Sequence, residues 1–84
     1  MSPRKKILEK NVQAFPIDPN KVGKTSGAAT IDVSDMDMII FDAEVTVYFD
    51  GNSSDTYTMA AEIPKVITAV SSIHVSTAVN YMYV

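Results

Sequence analysis

Few side chains in this sequence fall into patterns that support a reaction or hold an ion. Val22-Gly23-Lys24-Thr25 ends as a phosphate-binding loop does, with a lysine to reach a phosphate and a hydroxyl for a magnesium ion. The first glycine of that motif belongs at position 18, where the chain has Asp18 followed by Pro19, and no buried strand precedes it and no helix follows. Asp50, Asn52 and Ser54 have the spacing of the first three ligands of a calcium loop. The sixth position is Asp55 where glycine is needed and the twelfth is Ala61 where a bidentate glutamate is needed, so a polar turn explains the same letters better. Asp32, Asp35, Asp37, Asp42 and Glu44 form an acidic cluster. It could hold a divalent cation or receive a basic segment, or it could only keep an edge strand from pairing with other chains.

His74 is the only imidazole, and nothing in the sequence places a partner for acid–base work beside it. Tyr48, Tyr57, Tyr81 and Tyr83 would suit a stacking platform for single-stranded nucleic acid, but the segments that carry them hold almost no Lys or Arg. Core and interface packing is the better account. With no cysteine, the chain has no disulfide, no zinc–thiolate site and no thiol nucleophile. No serine lies in a nucleophile elbow. Asn52-Ser53-Ser54 is a glycosylation sequon, void without secretion. The expectation is a non-enzyme with no cofactor and no metal.

The elements that would position these residues divide the chain by charge. In residues 1–24, six cations (Arg4, Lys5, Lys6, Lys10, Lys21 and Lys24) face only Glu9 and Asp18, a net +4. From residue 25 onward, Lys65 stands alone against eight carboxylates, a net −7, although the whole chain carries only −3. A basic arm is joined to an acidic body. Three roles suit the arm: neutralising nucleic-acid phosphates, lying on the acidic surface of a neighbouring copy, or keeping the chain in solution.

Residues 1–13 have Ser2 and Pro3 where a helix would start, and Leu8, Val12 and Phe15 repeat at helical spacing, so a short helix is expected there. Phe15 to Gly27, with Pro16 and Pro19, reads as an extended connector that inserts Phe15, Ile17 and Val22 as anchors. The arm and linker are thus assigned to residues 1–27 and the body to residues 28–84.

Ala29–Ser34 alternates as a short strand. Met38–Phe49 alternates without a break over twelve residues, with Ile39, Phe41, Ala43, Val45, Val47 and Phe49 on one side, and reads as a single strand with one buried face. It runs into the turn formers 50–55 and then an alternating stretch over 56–63, which together spell a hairpin. Ile73–Val84 alternates as one long C-terminal strand. Between them, Ile63, Val66, Ile67 and Val70 follow helical spacing behind Pro64, so residues 64–72 are assigned a short helix or turn. The fold class expected is mainly β: a small antiparallel β-sandwich or barrel-like sheet of four or more strands, with room for one short helix and with an extended N-terminal arm.

A body of this size sits near break-even, because ordering each residue costs about 1.5 kcal/mol and there is no disulfide to offset it. It also has too much apolar material. Met38, Ile40, Tyr48, Met82 and Val84 are apolar on the side of each strand that should meet water, and hydrophobic residues make up 46% of the chain. Clustered apolar surface marks an interaction site. The partner-binding residues expected are therefore Arg4, Lys5, Lys6, Lys10, Phe15 and Ile17 from the arm, with Met38, Ile40, Tyr48, Met82 and Val84 from the body.

The function these features suggest is structural assembly through homo-oligomers or attachment to a larger protein lattice, as in a phage capsid decoration protein or another minor virion component. That is an analogy of architecture. Two alternatives differ in class: a small acidic inhibitor or adaptor that occupies a basic groove on a partner, and nucleic-acid binding through residues 1–24. No apolar run reaches the roughly 18 residues a bilayer span needs, and no secretory leader pattern is present, so the expected location is the virion or the cytoplasm, with no membrane partner.

Overall fold

The computed structural model describes residues 18–84, and all of their regular structure is β. The predicted helix over 1–13 lies outside the described residues. Eight strands follow one another: β1 (Val22–Lys24), β2 (Ala29–Asp32), β3 (Met38–Phe41), β4 (Val45–Phe49), β5 (Tyr57–Met59), β6 (Lys65–Val66), β7 (Ser72–Val75) and β8 (Asn80–Tyr83). They form two four-stranded antiparallel sheets, ordered β1-β8-β3-β6 and β2-β7-β4-β5. The expected sandwich class is borne out. Among the described residues no helix is long and apolar enough to cross a membrane.

The core lies between the sheets. Ile39 and Phe41 of the first sheet meet Ile31, Val45, Val47, Met59, Ile73 and Val75 of the second, with Val33, Ile67 and Val79 closing the ends. Phe41 is the largest fully buried side chain, and Tyr81 meets it edge-on with ring centroids 6.1 Å apart. Tyr81 also lies across Gly23 of the neighbouring strand, so closely that a side chain there would overlap the phenol ring. Glycine at that position lets β1 reach the sheet.

Two predicted strands are each broken in two. Met38–Phe49 is β3 and β4, in different sheets, joined by an exposed corner at Asp42-Ala43-Glu44. Ile73–Val84 is likewise β7 and β8, joined through the exposed residues Ser76, Thr77 and Ala78. Twelve residues in one strand would extend about 40 Å, more than so small a sandwich can cover. The alternation survives because each corner keeps the parity of the inward residues, from Phe41 to Val45 in one and from Val75 to Val79 in the other, and the inner faces of the two sheets look at each other. Ile39 and Phe41 point inward from one sheet, and Val45 and Val47 point inward from the other.

The hairpin forms as expected, with Val45 opposite Met59 and Val47 opposite Tyr57. Its turn has Asp50 at φ 51° and Gly51 at φ 77°, both left-handed as a type I′ turn requires, and Asn52 N–H donates to the Phe49 carbonyl at 2.9 Å. The Asp50 carboxylate also accepts from the Ser71 and Ser72 N–H groups at 2.8 and 3.0 Å, tying the turn to the start of β7.

Residues 64–72 contain no helix. Lys65 and Val66 pair with β3 as a two-residue edge strand, and a turn closes with Val70 N–H on the Ile67 carbonyl. Of the supposed helical stripe only Ile67 is fully buried, while Ile63 and Val66 are exposed. The β-branched residues favour the sheet, and Pro64 is tolerated because it precedes an edge. The linker differs too: Val22, Gly23 and Lys24, placed in the arm by the sequence, are a strand of the first sheet, in register with Met82, Tyr81 and Asn80.

Candidate functional site

A sandwich has two outer faces, and strand register decides which outward-pointing residues stand side by side on each. On the sheet containing β1, β8, β3 and β6, the outward residues form three rows across the strands. Val22, Met82 and Ile40 stand side by side in the first row. Val84, Met38 and Val66 make the second: Met38 pairs with Val66, and Val84 exchanges backbone hydrogen bonds with Met38 at 3.1 and 3.3 Å. Both rows are wholly aliphatic. Val22 and Val66 are 49% and 69% exposed, and the four between them are half-buried.

The third row is polar. Lys24 pairs with Asn80, Asn80 is bonded to Asp42, and Glu62 lies beyond, its N–H donating to the Phe41 carbonyl at 2.7 Å. Glu62 holds φ at 62°, a left-handed conformation that costs a residue with a Cβ about 1–2 kcal/mol. The first and third rows line an open groove of about 780 Å³ that has Lys24 on one margin and Glu62 on the other.

Asp42 accepts the Asn80 backbone N–H on one oxygen at 3.0 Å and the Asn80 amide on the other at 2.8 Å. These bonds favour the ionised form and hold its pKa below the ordinary 3.8; Ser34 does the same for Asp32 through its hydroxyl and its N–H. Folded pKa values below the unfolded ones give stability that is present above pH 3.8 and lost as pH falls through the lower folded values. Thermal melts between about pH 5 and pH 2 are therefore expected to show a declining midpoint. Asp42→Asn should flatten that decline and lower the midpoint at neutral pH, since its amide would set a donor against the Asn80 donor.

The outer face of the other sheet is different in kind. Thr30, His74 and Tyr48 form its central row, and Thr46 lies opposite Thr58. The Tyr48 and His74 rings are stacked at 4.4 Å and 14°, and the Thr30 hydroxyl shares a 2.9 Å hydrogen bond with His74 Nδ1. Hydroxyls and an imidazole make this a face that water can cover.

The expected partner-binding residues thus separate. Met38, Ile40, Met82 and Val84 converge on one sheet face, and Tyr48 stands on the opposite side of the sandwich. Arg4, Lys5, Lys6, Lys10, Phe15 and Ile17 lie outside the described residues. The sequence does not place Val22, Val66, Lys24 and Glu62 on this face, because their neighbours there come from remote parts of the chain. The phosphate-loop resemblance dissolves: Gly23 and Lys24 are in a strand, and the Thr25 hydroxyl accepts from Val79 N–H at 3.1 Å. In the calcium-like stretch the Asn52 amide donates to Asp55, and among the described residues no three His, Cys, Asp or Glu side chains are grouped to hold a metal ion. Compared with family models, curated proteins and solved structures, the chain matches none.

Proposed function

We propose that this protein is a structural assembly subunit that associates with copies of itself and with a larger protein lattice. The observation that carries the reading is the contrast between the two outer faces: six aliphatic side chains in two adjoining rows on one, hydroxyls and an imidazole on the other. Contiguous apolar surface on a chain this small is costly to leave in water and marks a contact surface.

Its size also bears on the kind of assembly. A stable pairwise interface uses about 20–30 residues a side, more than twice what this face offers, so each contact is weak. Weak contacts add up when many copies sit on a repetitive surface. A virion shell is such a surface, and decoration of a capsid is the setting we propose. The basic arm supplies a second point of attachment by reaching an acidic neighbour.

Light scattering of the full chain over a range of concentrations is expected to show a mass above the monomer, and removal of residues 1–17 should lower it. The truncation must stop there, because removing residues through 24 would also take β1 out of the sheet. A monomeric mass at every concentration would overturn the reading and favour the inhibitor or adaptor alternative.

A further inference from the structure

The third row on the apolar sheet face is a charge pattern with a direction. Lys24 stands on β1, Asn80 on β8, Asp42 at the end of β3, and Glu62 just ahead of β6, so the row runs from a cation on one margin to a carboxylate on the other. Lys24 and Glu62 are both exposed, and no hydrogen bond between side chains occupies either within the described residues.

A surface with that pattern is complementary to itself under one operation. A two-fold axis parallel to the strands, between β8 and β3, reverses the order of strands and keeps each row at its own level. Under it, Lys24 of one copy faces Glu62 of the other, Asn80 faces Asp42, Met82 faces Ile40, and Val84 faces Met38. Aliphatic rows meet aliphatic rows, and the two ends of the polar row meet their opposites. A two-fold axis perpendicular to the strands within the interface plane would instead bring the charged row of each copy onto the apolar row of the other, leaving charges on aliphatic groups.

We infer that this face is an isologous interface: two copies of the chain pack with these sheets face to face about such an axis, closed at one end by two Lys24–Glu62 ion pairs. The inference rests on the assembly reading and specifies its first contact. Because each charge pair occurs twice by symmetry, a single substitution acts at two places. The left-handed backbone at Glu62 has a function in this arrangement, since it holds a carboxylate at the margin where the partner lysine arrives.

The test is a charge exchange in the full-length chain, with self-association measured by analytical ultracentrifugation and folding checked by thermal melts. Lys24→Glu and Glu62→Lys, both at exposed positions, are each expected to leave the melt unchanged and to weaken dimerisation by about tenfold or more through paired like charges. The double variant should restore dimerisation, and so should mixing the two single variants, because every pair in those dimers is again opposite in sign. Failure of both the double variant and the mixture to recover association would overturn the inference, as would single variants that associate like the original chain. If association persists in all variants, assembly stands and uses another surface; if the original chain is monomeric throughout, the assembly reading falls with it.

Discussion

Replacing Phe41 with alanine is expected to unfold the domain at room temperature or leave it barely folded. Phe41 is 1% exposed and sits where both sheets meet, packed edge-on against Tyr81 and surrounded by the core residues of the second sheet. Removing a buried phenyl ring costs about 3–5 kcal/mol, from lost transfer energy and from the cavity left behind. Domains this small have total stabilities near the low end of about 5–15 kcal/mol, so that loss approaches the whole. Urea unfolding followed by circular dichroism would show the effect as a midpoint shifted to nearly zero denaturant. Phe41→Leu, which refills most of the space, should retain a cooperative transition at a lower midpoint.

Ile40→Lys is expected to have the opposite profile. Ile40 is the residue next to Phe41, yet its side chain points to the other side of the sheet, between Met82 and the β6 edge, and is half-buried. A lysine there can extend its charge into water in the free subunit, so the melting midpoint should move by only a few degrees. In an assembly that covers the face, the same charge is desolvated without a partner, at a cost of about 3–5 kcal/mol. Association should fall by a factor of about 100 or more, read as a collapse of the light-scattering mass to that of a single chain. Tyr48→Lys, on the hydroxyl-bearing face, serves as the control and should leave the mass unchanged. Equal effects at Ile40 and Tyr48 would mean that the contrast between the faces does not decide how the subunits meet.

Adjacent residues with such different expected effects show how far the sequence could be read. Alternation told correctly that Phe41 is inside and Ile40 is not, because successive side chains on a strand point to opposite faces. The hairpin was legible for a similarly local reason: Asp50-Gly51 supplies the two left-handed residues that the turn needs, with an alternating run on each side. Over 64–72 the sequence allows a short helix or a turn; the turn forms at residues 67–70 and the helix does not, because β-branched residues at helical spacing satisfy a strand pattern as well. The β3 edge, which pairs with Lys65 and Val66, chose between them.

From the sequence alone came the β class, the inward residues of the runs over 38–49 and 73–84 outside their corners, the contrast between a basic arm and an acidic body, and an excess of apolar side chains on the outward set. Which sheet each strand joins is set by long-range pairing in the folded chain. Parity along the chain is unchanged by a three-residue corner, so Met38–Phe49 looks the same whether it is one strand or two in facing sheets. For the same reason the sequence could not separate Tyr48 from Met38, Ile40, Met82 and Val84. Nor could it add Val22 and Val66 to them, because neighbours on a sheet face are set by pairing between distant segments, and pairing leaves no periodic mark on either strand.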